Sequence, residues 1–252
     1  MAPQLKTKSQ ALDSQISRRT KSMRMPVIKS LPNDLLIEVL AKVAASSYID
    51  LIQAKLATKD FLEASNDGYV FRHVSLRNFR KLLWNNSPEF WSFMENCNNN
   101  ENPESLYRKG MLEFFTHCRE ASGLGYLKLS AQKGYVDACY VYGIIMYASN
   151  VKDDGLKYLK NCEMKLEYKM SECRGRVKEF VWCLWVNNKI CLSENGERYC
   201  SNVKNNCMIN EKRKGWDWND EDDYYGEHAC EECKWNGEVF RFCNMLRTGG
   251  YS

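Results

Sequence analysis

Leu31, Leu35, Val39 and Val43 recur every four residues, with Leu36 and Leu40 beside them, in the stretch LPNDLLIEVLAKVA. This spacing predicts an amphipathic helix whose apolar face is wider than one packing partner needs. Pro32 suits its first turn, where a missing N–H costs nothing. Asp34 and Glu38 favour the positive end of the helix dipole. A second helix is predicted from Asp50, whose carboxylate can cap with Gln53 three residues on; Leu51, Ile52 and Leu56 give its apolar side. A third runs from Lys59 to Asn66 and stops by Gly68. Tyr69 to Leu76 mixes aromatic and β-branched residues, as an ordered, partly buried extension would. Trp84, Phe90, Trp91 and Phe93 then predict a short packed helix, and the Asn run before Pro103 a loop.

The pattern next echoes itself. Leu106 to Phe115 parallels Cys139 to Ala148, with Tyr107 and Gly110 returning 33 residues later as Tyr140 and Gly143. Gly123 to Lys128 returns 32 residues later as Gly155 to Lys160. Such periods mark stacked helical hairpins, and each echo puts a glycine where a second helix would cross closely. The turn inside the unit carries Ala131, Gly134 and Ala138. Glu179 to Leu192 is apolar and aromatic, which fits either a strand or a short buried helix, with Trp182 and Trp185 in the core.

Composition narrows the function classes. The chain has 252 residues, 44% of them apolar, and a formal net charge of +4. That supports a real core, and the charge is too small to imply nucleic-acid binding by itself. Residues 1–30 hold seven Lys or Arg against one acid and lack apolar periodicity, the pattern of a disordered basic leader. Arg18 to Arg24 fits a nuclear import signal or simply a solvated leader. No secretory apolar core and no membrane-length apolar run are present, so the expected location is intracellular, in nucleus or cytoplasm.

In such a reducing setting the 12 Cys read as buried thiols or metal ligands. His228, Cys230, Cys233 and Cys243 could hold Zn2+ around one Cys-x2-Cys step. The other reading is buried thiols at the start of a terminal helix. Cys200 and Cys207 are alternative ligands at a less typical spacing. Asp217 to Glu227 is acidic without the spacing of a calcium loop, and reads as a solvated linker. No phosphate loop, dinucleotide turn or hydrolase motif occurs. His117 and Cys118 are adjacent, so on a helix they diverge by about 100° and cannot work as a pair. The expectation is a non-catalytic protein.

Leu31 to about Leu76, through LPNDLLIEVLAKVA, YIDLIQAKLATKDFLEAS and YVFRHVSL, resembles the F-box. It lacks the Cys and Trp often found in the third helix, where Phe61 would pack instead. The resemblance implies docking to the Skp adaptor, and through it a cullin, by Leu31, Pro32, Leu35, Leu36, Val39, Leu40, Leu51 and Ile52. A three-helix unit is close to the size limit for independent stability, and burying a spare apolar face against a partner at roughly 25 cal/mol per Å2 would turn it into an adhesive. The alternative is a plain core that packs every apolar residue internally. GLGYLKLSAQKGYVDACYVYG resembles Sel-like and tetratricopeptide-like repeats, either as a peptide-binding surface or as a spacer. CEECKWNGEVFRFCNMLR resembles the Cys-rich end of a group of plant F-box proteins.

The expected architecture is therefore mainly α: a leader over 1–28, a three-helix F-box over 29–78, helical-hairpin repeats over 79–170 and a small Cys-rich region over 171–252. The implied function is a substrate receptor of a Skp–cullin–F-box ubiquitin ligase that recruits an unknown target. The competing reading is a zinc-binding, nucleic-acid-associated protein using the leader and the Cys cluster.

Overall fold

The computed structural model describes residues 31–77, 79, 87–149, 151–166, 170–188 and 230–248. The described elements are helical, as the sequence predicts. The leader, Arg18 to Arg24, Trp84, Cys200, Cys207, Asp217 to Glu227 and His228 lie outside the described residues.

Helix α1 (Asn33–Ser46) starts at Pro32, whose carbonyl accepts from the amides of Leu35 and Leu36 at 3.1 Å each. Ser47 both ends it and begins α2 (Tyr48–Ala57): its amide donates to Val43 O, and its hydroxyl accepts from Asp50 N at 3.2 Å. The cap of the second helix is thus Ser47 and not Asp50. An extended Ser reaches the amide three residues on, while Asp50 supplies first-turn charge. Thr58 caps α3 (Lys59–Ala64) in the same way, and Asp67 caps α4 (Gly68–His73) by accepting from Tyr69 N, two residues on. Tyr69 to His73 therefore form a helical turn, after which Val74 to Leu76 run extended, with Ser75 N donating to Ala44 O at 2.9 Å. Helix α5 (Pro88–Asn99) carries the Asn run one turn further than the expected loop.

Two buried cores organise the chain. The first gathers Leu36, Leu40, Ala44, Leu51, Val70, Val74 and Leu76 together with Met94 and Cys97 of α5. Phe61 packs half-buried against it, in the role expected for a replaced Trp. Phe79 stacks on Phe93 with ring centres 5.2 Å apart. The first core therefore takes in α5 as well as the helices before it.

The second core belongs to the hairpins. Helices α6 (Pro103–Met111) and α7 (Glu120–Gln132) form one pair; α8 (Val136–Ala148) and α9 (Lys152–Leu166) form the next. A π-turn over Leu112–Thr116 follows α6, and Gly134, at φ 90°, makes the turn into α8. A Cβ on Gly110 would sit 2.8 Å from Leu127 Cγ, and one on Gly143 2.8 Å from Leu159 Cγ, so both echoes cross at the same register. Helices α10 (Met170–Val181) and α11 (Glu231–Thr248) share this core through Val177, Phe180, Trp235, Val239, Phe242 and Leu246. Helix α11, in the Cys-rich end, therefore packs into the same core as the hairpins. Phe242 of α11 meets both Phe115 and Tyr140, which covers that face of the hairpins from within the chain. Enclosed by these neighbours, α8 is buried almost all round, as its apolar sequence requires.

Buried polar groups sew the two cores together. Asn102, 1% exposed, caps α6 by accepting from Ser105 N at 3.0 Å and donates to the carbonyls of Phe71, Arg72 and Val74. Arg108 donates to Leu76 O at 2.6 Å and to Glu104, which in turn accepts from Leu76 N. Asn102→Ala removes a cap and orphans several carbonyls, and is expected to cost about 3 kcal/mol in chemical unfolding.

Candidate docking surface

Helix α1 carries two apolar stripes. Leu36, Leu40 and Ala44 turn inward to the first core. Leu35 and Val39, one turn apart, turn outward and are 49% and 50% exposed, with Leu31 at 38% before them. Pro32 is exposed as well. A helix only 14 residues long needs one stripe to hold its own unit together; the second stays open among the described residues. Lys42 and Glu38 form an exposed ion pair at 3.0 Å, which contributes little to stability.

The next helix repeats the arrangement. Leu51 points into the core, 2% exposed, whereas Ile49, Ile52 and Leu56 fall within about 60° of one another on the other side. Ile49 and Leu56 are exposed and Ile52 is half-buried. Leu62 of α3 is exposed too.

Among the residues expected to bind the adaptor, Leu31, Pro32, Leu35, Val39 and Ile52 retain accessible surface. Leu36, Leu40 and Leu51 do not. They hold the three helices together: Leu40 and Leu51 lie about 100° or more round their helices from the outer stripes, and Leu36 about 100° from Leu35 and about 60° from Val39. Sequence reasoning missed Ile49, Leu56 and Leu62. The i, i+3, i+7 spacing of Ile49, Ile52 and Leu56 was the available signal. His73, at the end of this unit, is exposed; its Nδ1 lies 2.8 Å from Tyr69 O and its ring packs on Tyr69.

The proposed metal ligands do not assemble as expected. Cys233 and Cys243 lie ten residues apart on α11, a rise of about 15 Å, and Cys243 is packed into the second core. Cys230 stands just before the helix, its carbonyl accepting from Lys234 N at 3.1 Å. Cys243 thus cannot share an ion with Cys230 and Cys233. Among the described residues no three His, Cys, Asp or Glu are placed to hold a metal.

Trp182 and Trp185, expected in the core, are instead 48% and 71% exposed. The backbone explains the reversal. Helix α10 ends at Val181, and Trp182 to Asn188 beyond it are neither strand nor helix, while 189–192 of the expected element lie outside the described residues. The amides of Asn187 and Asn188 both donate to Phe115 O, at 2.8 and 3.0 Å. That pinning turns Leu184 inward and leaves the two indoles outside; Lys178 Nζ lies 4.7 Å from the Trp182 ring centre. No described helix is long and apolar enough to cross a membrane.

Comparison with known proteins agrees with this architecture. A family model described as plant tetratrico peptide repeats matches residues 77–182. The chain is 28% identical over 226 residues to one protein of Arabidopsis thaliana named as an F-box protein, covering 85% of this chain and 76% of that one. A second Arabidopsis thaliana F-box protein is 27% identical over 138 residues, covering 54% of this chain and 83% of the relative. No solved structure matches. The resemblance to plant F-box proteins with a repeat-like middle is thus shown by relatives along most of the chain.

Proposed function

We propose, from its similarity to plant F-box proteins, that this chain is the substrate-receptor subunit of a Skp–cullin–F-box ubiquitin ligase. The observation that carries the reading is the outer stripe of Leu31, Leu35 and Val39, left open while a parallel stripe closes the core. It is the surface an adaptor would shield, with Ile49, Leu56 and Leu62 extending it. The repeat body would hold the target, and Trp182 and Trp185 are of the residue type that dominates binding interfaces. Catalysis would come from proximity, by raising the effective concentration of a target lysine beside the ubiquitin-loaded enzyme. No residue of this chain makes or breaks a bond in that scheme.

The test separates the two stripes. Leu35→Asp with Val39→Asp is expected to weaken binding to a Skp-type adaptor at least about 100-fold while thermal unfolding of the free chain stays close to wild type. Leu36→Asp, aimed inward, should unfold the N-terminal unit outright. Wild-type adaptor affinity in the folded double variant would sink the proposal. Trp185→Ala should leave adaptor binding intact and reduce target capture.

A further inference from the structure

We propose that the sulfur atoms of Cys162, Met170 and Cys173 form a three-coordinate site for the soft monovalent ion Cu(I). Cys162 lies near the end of α9, and Met170 and Cys173 lie in the first turn of α10. Met170 and Cys173, three residues apart, share one helix face. Cys162 Sγ is 3.9 Å from Met170 Sδ, and the thiols of Cys162 and Cys173 are neighbours. All three side chains are buried. Two sulfurs 3.9 Å apart can each lie about 2.3 Å from one ion, the length of a metal–thiolate bond, at an angle near the roughly 120° of three-coordination.

The donor set selects the ion. Thiolates and a thioether are soft ligands that suit Cu(I). Zn2+ asks for four ligands, usually without a thioether. The oxygen at hand is Asp137 Oδ1, 3.3 Å from Cys173 Sγ. That carboxylate is already held by Arg176, whose Nε donates to its two oxygens at 3.1 and 3.0 Å. Loading breaks two S–H bonds, sends two protons to solvent and forms two Cu–S bonds plus one dative bond from the thioether; no electron changes hands. The guanidinium of Arg176 stands near the resulting negative charge. The site is independent of the adaptor surface, which lies on the other core.

The full-length chain, reduced and kept free of oxygen, is titrated with Cu(I) against a colorimetric Cu(I) chelator. Wild type should withhold one equivalent that Cys173→Ser loses. Met170→Leu preserves volume and the fold, and should weaken that equivalent about tenfold, with an unchanged melting curve for the metal-free protein. Cys230→Ser with Cys233→Ser should leave it in place. Equal retention of Cu(I) by wild type, Met170→Leu and Cys173→Ser would overturn the assignment, as would no retained equivalent in wild type. Loss of the equivalent in the Cys230/Cys233 double variant would overturn it as well, by moving the site to α11.

Discussion

Glu238→Ala is expected to destabilise the repeat body by about 3–5 kcal/mol, the cost of leaving a buried charge without its partner. Glu238 sits on α11, 2% exposed. Its carboxylate takes a two-pronged ion pair from Arg174 of α10 and accepts from the hydroxyl of Tyr140 on α8 at 3.0 Å. Arg241, one turn on, lies 3.7 Å away. Removing the carboxylate breaks the ion pair of Arg174, whose side chain is 11% exposed, and takes the acceptor from a fully buried phenol. The loss should appear as a lower midpoint in urea unfolding. Glu231→Ala provides the contrast: its pair with Lys160 at 2.6 Å leaves both side chains about half exposed, and surface pairs contribute less than about 1 kcal/mol. Replacing Arg174 and Glu238 together by Met should recover much of the stability, because both charges then leave the core together. A small effect of Glu238→Ala alone would show that α11 is not held by this network.

Gly155→Ala is the second large effect. A Cβ there would stand 2.6 Å from Tyr147 N and 2.8 Å from Gly143 O. These are backbone atoms, so no rotamer change relieves the clash and α8 and α9 must move apart. The expected net cost is about 3 kcal/mol, since forced expansion of a packed core outweighs the roughly 1 kcal/mol that Ala gains over Gly in a helix. Gly123→Ala should behave alike, its Cβ meeting Phe114 N at 2.6 Å. Gly143→Ala should cost less, because its nearest obstacle is the Leu159 side chain. Gly125→Ala is the control: nothing lies within 4 Å of its Cβ, so the helix gain of up to about 1 kcal/mol should appear as stabilisation. Equal melting of the Gly125 and Gly155 variants would remove the close crossing as the reason for these glycines.

The paired glycines were legible because the repeat is written in the chain: the same residue types return after a fixed interval, and a structural unit that recurs must repeat its tightest contact. The outer stripe of α1 was legible for a related reason, since six apolar residues on one helix exceed what a single core face can absorb. Trp182 and Trp185 were not. Their placement depends on two asparagine amides reaching Phe115, about seventy residues earlier in the chain, and no local pattern encodes that bond. Whether Cys243 is a ligand or a buried thiol was not legible, because a Cys spacing constrains a site only when the chain between the ligands can turn back, and the continuous helix of α11 cannot.

By itself, the sequence determined the helical class, the position of most helices, the close crossings of the hairpins and the excess of apolar surface near Leu31, all of which follow from short-range periodicity and backbone sterics. Only the tertiary structure decided which leucines of that surface are core and which are free, that α5 completes the first core, and that α10 and α11 complete the second. Those outcomes rest on which distant surfaces meet, and burial is a property of the pair of surfaces rather than of either stretch alone.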